Sequence, residues 1–138
     1  MMKAAVIERP GVLAVWDIPQ PVMGPYDALC ELLYGATCTG TDGHLIHGRF
    51  PWGVSYPTVL GHESAGIVEM VGSEVRTVKP GDHVITCLSA FCGHCEDCLT
   101  GHMSLCQQPD TKRGAGEEPR LSSDAGNMNQ YLNLSSFA

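Results

Sequence analysis

No stretch of the 138-residue chain approaches the roughly eighteen consecutive apolar residues needed to span a bilayer, so no helical membrane anchor is expected. Positive charge is scarce. Eight Lys and Arg stand against 15 Asp and Glu, a formal net charge of −7, and the basic residues form no cluster. A nucleic-acid backbone is therefore not an expected partner. No internal repeat is present, and the opening run has Glu8 and Pro10 too early for a secretory apolar segment. These absences point to a cytoplasmic chain. Charged residues make up only 17% and hydrophobic ones 43%, a balance that excludes disorder for most of the length.

What is abundant is turn-forming and sulfur-bearing. Sixteen Gly and nine Pro favour short strands and turns over a helical bundle. Seven cysteines are many for a cytoplasmic chain, and an odd number suits a closed disulfide framework poorly, so metal is the first expectation. Residues 3–8 and 12–18 read as a hairpin around Arg9-Pro10-Gly11. After a proline-punctuated loop, Asp27 to Cys38 alternates well enough for a half-buried strand. A short helical turn is expected between Thr39 and His47, and a loop over Pro51–Pro57. Ile67 to Val71 and His83 to Thr86 read as strands, the second after a Pro80-Gly81-Asp82 turn. Residues 107–126 are polar and turn-rich, and Met128 to Ala138 alternates again, as a strand cut short. The sum is a mainly β domain, an irregular barrel carrying one metal lobe.

That lobe, residues 91–106, spaces Cys92, Cys95, Cys98 and Cys106 as C-x2-C-x2-C-x7-C. Two-residue gaps let neighbouring thiolates turn onto one ion, and the longer return brings the fourth round to close a tetrahedron. Four thiolates leave no open position, so the expected zinc is structural. Two disulfides, four inert thiols or an iron–sulfur cluster are the alternatives. His94 and His102 are expected at the surface, and Cys30 and Cys87 as small core residues.

Two further motifs are Gly61-His62-Glu63-Ser64-Ala65-Gly66 and Cys38-Thr39-Gly40-Thr41-Asp42-Gly43-His44. Together with the lobe, and with Val78-Lys79-Pro80-Gly81-Asp82-His83-Val84 ahead of it, they resemble the zinc-dependent medium-chain alcohol dehydrogenase family. The resemblance covers residues 1–138 and implies that family's N-terminal catalytic domain, of the fold called GroES-like. It implies that His62 binds a catalytic zinc, with Glu63 binding or approaching it. Thr41 would hydrogen-bond the substrate oxygen, Asp42 would orient the His62 ring, and His44 would relay a proton to solvent. The plain alternatives are a turn hydroxyl, a helix cap and an exposed helical histidine. NAD or NADP, a small alcohol or polyol substrate and a homo-oligomeric full-length enzyme are implied as well.

One feature departs from the family pattern. The family's cysteine position is occupied by Thr39, and the thiol stands one residue early, at Cys38. On a strictly extended backbone such a shift points the side chain to the opposite face, unless Gly40 absorbs it as a bulge. Cys38 is therefore either a ligand or a buried inert thiol. The expected dinucleotide fingerprint is also missing, because Gly114-Ala115-Gly116-Glu117-Glu118-Pro119 ends in proline and opens no helix. The family's third catalytic ligand and its dinucleotide domain would lie beyond Ala138. The 138 residues are thus expected to form an N-terminal part, inactive alone. Two competing readings are a non-enzymatic zinc module and a co-chaperonin, the latter resting on a fold name alone. Phe50 and Trp52 are candidate pocket aromatics.

Overall fold

The computed structural model describes residues 1–51, 54–87, 91–107, 120–124 and 126–128. Strands β1 (Met2–Arg9) and β2 (Val12–Ile18) form the expected antiparallel hairpin, with Met2 opposite Ile18 and Ile7 opposite Leu13. In β2 side chains alternate cleanly between half-buried and exposed up to the buried Ile18, the period-two pattern of a sheet with one wet face. The inner faces of β1 and β2 supply Ala4, Val6 and Ile18 to a core that Leu121 and Met128 complete.

Strand β3 (Ala28–Gly35) is followed by helix α1 (Thr39–Ile46), then by β4 (Thr58–Val59), β5 (Ser64–Val71) and β6 (His83–Ile85). A short helix α2 (Glu96–Leu99) and a 3-10 turn (Met103–Leu105) occupy the cysteine-rich stretch, and β7 (Leu121–Ser123) pairs with β8 (Gly126–Met128). The sheet orders are β2-β1-β4, β3-β5-β6 and β7-β8, all pairings antiparallel. These are open sheets, and no closed barrel forms among the described residues. No helix among them is long and apolar enough to cross a membrane.

The β3–β5 ladder positions the site. It runs from Ala28 opposite Val71 to Gly35 opposite Ser64, with one register shift between Leu29 and Cys30 and another between Leu32 and Tyr34. At its middle Gly66 is buried beneath the β3 backbone, where an added Cβ would collide with the Glu31 carbonyl oxygen. Helix α1 buries Asp42 and Leu45, three residues apart and hence on one face. Its end is tied back to the opening hairpin by the Gly11 N–H, which donates to the Ile46 carbonyl at 2.7 Å.

Several expectations change. The third strand stops at Gly35, not Cys38, because the chain leaves the ladder there and turns into α1. Its alternation is poor as well, with Leu32, Leu33 and Tyr34 all exposed. Cys30 is half-buried in β3, where burial first and the Glu69 charge second push its thiol up. Cys87 lies past the end of β6 and is exposed, so it is no core residue. Trp52, the string 114–119 and the expected final strand beyond Met128 lie outside the described residues.

Candidate metal centres

Antiparallel pairing brings the second motif to the first. Gly35 closes the β3 side of the ladder opposite Ser64, and the Ala36 N–H extends the pairing by donating to the Glu63 carbonyl at 2.9 Å. Cys38 follows on one side and His62-Glu63 precede on the other, so the two ends meet. The Cys38 sulfur, a ring nitrogen of His62 and a carboxylate oxygen of Glu63 all lie within 4.8 Å of one another. The offset of the thiol is resolved locally. Cys38 is the extended residue (φ −83°, ψ 99°) capping α1, and Gly40 lies inside that helix rather than in a bulge. The two-residue period of a strand therefore does not govern where the thiol points.

The donors differ in exposure. His62 is 8% exposed, whereas the Glu63 side chain is about half exposed. Gly61, with φ +113°, supplies the left-handed turn that delivers His62. The His62 Nδ1 atom lies 3.5 Å from Asp42 Oδ1, and its Nε2 lies 3.9 Å from Glu63 Oε1. Asp42 Oδ1 and His62 Nδ1 are buried, and neither forms a hydrogen bond among the described residues. The other oxygen, Asp42 Oδ2, accepts the Cys38 backbone N–H at 2.9 Å. Asp42 is therefore not the helix cap, a position that Cys38 takes, and its Oδ1 faces the His62 ring from inside α1.

Thr41 is half-buried on α1 beside Asp42. His44 is exposed, and its Nδ1 donates to the Gly40 carbonyl at 2.7 Å, leaving it outside the converging set. Sequence reasoning missed Thr86. Its Oγ1 accepts the Ser64 N–H at 3.0 Å and its own N–H donates to the Ser64 carbonyl at 2.9 Å, so the residue just past β6 grips the one directly after Glu63. Only the cross-strand register could have revealed that role.

The second cluster is local in sequence. Sulfur separations are 3.4 Å for Cys95–Cys98, 3.9 Å for Cys92–Cys98 and 3.9 Å for Cys95–Cys106. A disulfide needs about 2.05 Å, whereas a tetrahedron with metal–sulfur bonds of about 2.3 Å puts sulfurs about 3.8 Å apart. The donor set therefore fits one tetrahedral ion. The Cys92 N–H points at Cys106 Sγ (3.4 Å) and the Cys95 N–H at Cys92 Sγ (3.3 Å), as thiolate acceptors require. Burial opposes ionisation of Cys92, but N–H groups of His94 and Cys95 and the thiols of Cys95 and Cys106 outweigh it, bringing the thiol down to about 7. At Cys95 the Cys98 N–H favours the thiolate, but burial and contacts with three neighbouring thiols outweigh it, pushing the group up to about 12. Sulfurs this close cannot all ionise without a compensating cation. His94 and His102 are exposed, as expected.

Residues 24–136 match the family described as alcohol dehydrogenase GroES-like domain. The S-(hydroxymethyl)glutathione dehydrogenase of Saccharomyces cerevisiae is 42% identical over 107 residues, 78% of this chain and 27% of that protein. Among solved structures, the apo form of zinc-dependent alcohol dehydrogenase 2 from Streptococcus pneumonia superposes with a TM-score of 0.68 at 36% identity, over 78% of this chain and 31% of that one. A zinc-binding dehydrogenase from Sinorhizobium meliloti 1021 bound to NADP does so at 0.57 and 37% identity, over 77% and 30%. The chain thus spans about a third or less of these relatives' lengths. By the extent of the family match, and by the identity that accompanies it, this chain belongs to the alcohol dehydrogenase GroES-like domain family.

Proposed function

We propose that the chain is the metal-binding catalytic part of a zinc-dependent alcohol dehydrogenase that works with NAD or NADP. The observation that carries this reading is the convergence of Cys38, His62 and Glu63 within 4.8 Å beside the buried Asp42. A sulfur, an imidazole and a carboxylate make a donor set suited to zinc. Cys92, Cys95, Cys98 and Cys106 hold a second zinc, which ties down a lobe with little apolar burial of its own. Zinc bound at the first cluster supplies Lewis acidity toward an alcohol oxygen, which favours hydride release to a nicotinamide.

The remaining roles belong to side chains. Asp42 keeps the His62 ring turned toward Glu63. The Thr41 hydroxyl hydrogen-bonds the alcohol oxygen and accepts its proton while releasing its own, which the exposed His44 passes to solvent. The half-exposed Glu63 is free to approach or leave the cluster. Substrates are small alcohols or polyols, and the yeast relative's name brings hydroxymethyl compounds into that class. Support for a nicotinamide comes from the NADP held by the Sinorhizobium relative. Because none of the 138 residues forms a dinucleotide fingerprint, the chain by itself binds zinc without turnover. The complete enzyme is a cytoplasmic homo-oligomer on this reading.

Metal analysis tests the proposal. The chain should hold two zinc ions, falling to one when Cys38 and His62 are both replaced by Ala. One zinc in the unsubstituted chain, unchanged by this double replacement, would reduce the chain to a non-enzymatic zinc module. Detectable NADH or NADPH formation by the 138 residues alone would contradict the assignment of turnover to a larger enzyme.

A further inference from the structure

We infer that Asp42 fixes the Cys38 thiol at the metal cluster, by holding the Cys38 backbone N–H with one carboxylate oxygen while the other faces His62. The inference rests on Cys38, His62 and Glu63 being ligands. Residues 36–38 bridge β3 and α1, and the Cys38 side chain makes no capping hydrogen bond of its own. Instead both backbone groups of Cys38 are tied to one residue. The Asp42 N–H donates to the Cys38 carbonyl at 2.9 Å, and Asp42 Oδ2 accepts the Cys38 N–H at 2.9 Å. Asp42 is only 3% exposed, so its carboxylate cannot turn away to water.

One carboxylate oxygen thus accepts the Cys38 N–H, while the other faces His62 Nδ1 at 3.5 Å and has no hydrogen-bond partner among the described residues. Asparagine offers one acceptor and one donor. With its oxygen on Cys38, its amide group meets His62 Nδ1 and forces the ring proton onto Nε2, the nitrogen that faces Glu63. That nitrogen is then blocked as a ligand. In the reverse orientation the amide group opposes the Cys38 N–H and pushes the thiol-bearing loop away. Either way one ligand is lost, although Asn matches Asp in size. A residue that merely filled space at the start of α1 would tolerate the exchange.

The test is titration of the whole chain with Co2+, followed by absorption. The unsubstituted chain should bind two ions, with thiolate charge-transfer intensity at both sites. Asp42→Asn should weaken one site by about 10–100-fold, the range for residues that orient metal ligands. The four-cysteine site should be unchanged in the same sample and so reports on folding. Cys38→Ala is run alongside. If it leaves both sites unaltered, the ligand assignment itself fails. If it removes the first-site thiolate band while Asp42→Asn binds with unaltered affinity, the ligands stand and the role of Asp42 is overturned. Should Asp42→Asn not fold, the unsubstituted chain decides. A protected Cys38 amide in hydrogen exchange, with His62 protonated at Nδ1 by nitrogen NMR, supports the inference, and an unprotected amide overturns it.

Discussion

The two metal centres are built in opposite ways. The four-cysteine lobe gathers its donors from fifteen consecutive residues, 92–106, around short turns. Its own apolar residues are largely exposed, among them Leu99 and Leu105. On the proposed function, an ion there substitutes for a core. The Cys38–His62–Glu63 cluster draws on two segments more than twenty residues apart and depends on a sheet ladder, a helix start and a buried carboxylate. There the fold makes the site, and on the proposed function an ion contributes chemistry more than architecture. On that proposal one centre is metal-dependent structure and the other structure-dependent metal binding.

The largest effect should come from breaking the lobe. Cys98→Ser should cost one zinc and unfold residues 91–106, because structural zinc sites carry apparent binding energies of about 10–16 kcal/mol in small metal-dependent folds. Hydrogen exchange should show lost protection confined to that stretch, with the β3–β5 ladder intact. Loss of protection in both regions would deny their independence. Gly66→Ala attacks the other centre through its scaffold. The new methyl group meets the Glu31 carbonyl, and relief by backbone movement should cost about 2 kcal/mol in chemical denaturation. It should also lower metal occupancy at Cys38–His62–Glu63 while the lobe keeps its zinc.

A kinetic contrast follows from the donor sets. A mild chelator should strip the first centre well before the lobe, since Glu63 is half exposed and four thiolates leave a lobe ion no open coordination position. Simultaneous release of both ions, measured by a colorimetric zinc indicator, would remove the distinction. The smallest effect concerns the turn that feeds β6. The side chain and backbone N–H of Lys79 hold the Asp82 carboxyl below its ordinary value. A depressed carboxyl contributes stability above its unfolded value of 3.8 and loses it as pH falls through the lower folded value. NMR titration should show that low midpoint, returning toward the ordinary range in Lys79→Ala, with neither metal centre affected.

How far each centre could be read from the chain follows the same division. C-x2-C-x2-C-x7-C spacing encodes the lobe directly, because neighbouring residues have few ways to arrange themselves about one ion. The opening hairpin was equally readable from alternation in β2 and the turn at Gly11. His62 and Glu63 could be picked out as candidates, but the placing of Cys38 could not be settled by residue counting. Its direction depends on where β3 yields to α1, and that boundary is set by the Ala36–Glu63 and Asp42–Cys38 hydrogen bonds between distant or helical partners. The grip of Thr86 on Ser64 and the exposure of Cys87 were hidden for the same reason. Neither is decided before β5 and β6 are in register.

That dependence gives the paired irregularities in β3 and β5 a consequence. One extra residue, Glu69, sits on β5 between the partners of Leu29 and Cys30, and one extra residue, Leu33, sits on β3 between the partners of Gly66 and Ala65. The two insertions cancel, so the strand ends finish level. Deleting either alone would slide one end past the other by about 3.4 Å, the rise of a single extended residue, carrying the thiol out of reach of the imidazole. Zinc occupancy thereby works as a vernier on strand alignment, readable by any assay that counts bound metal.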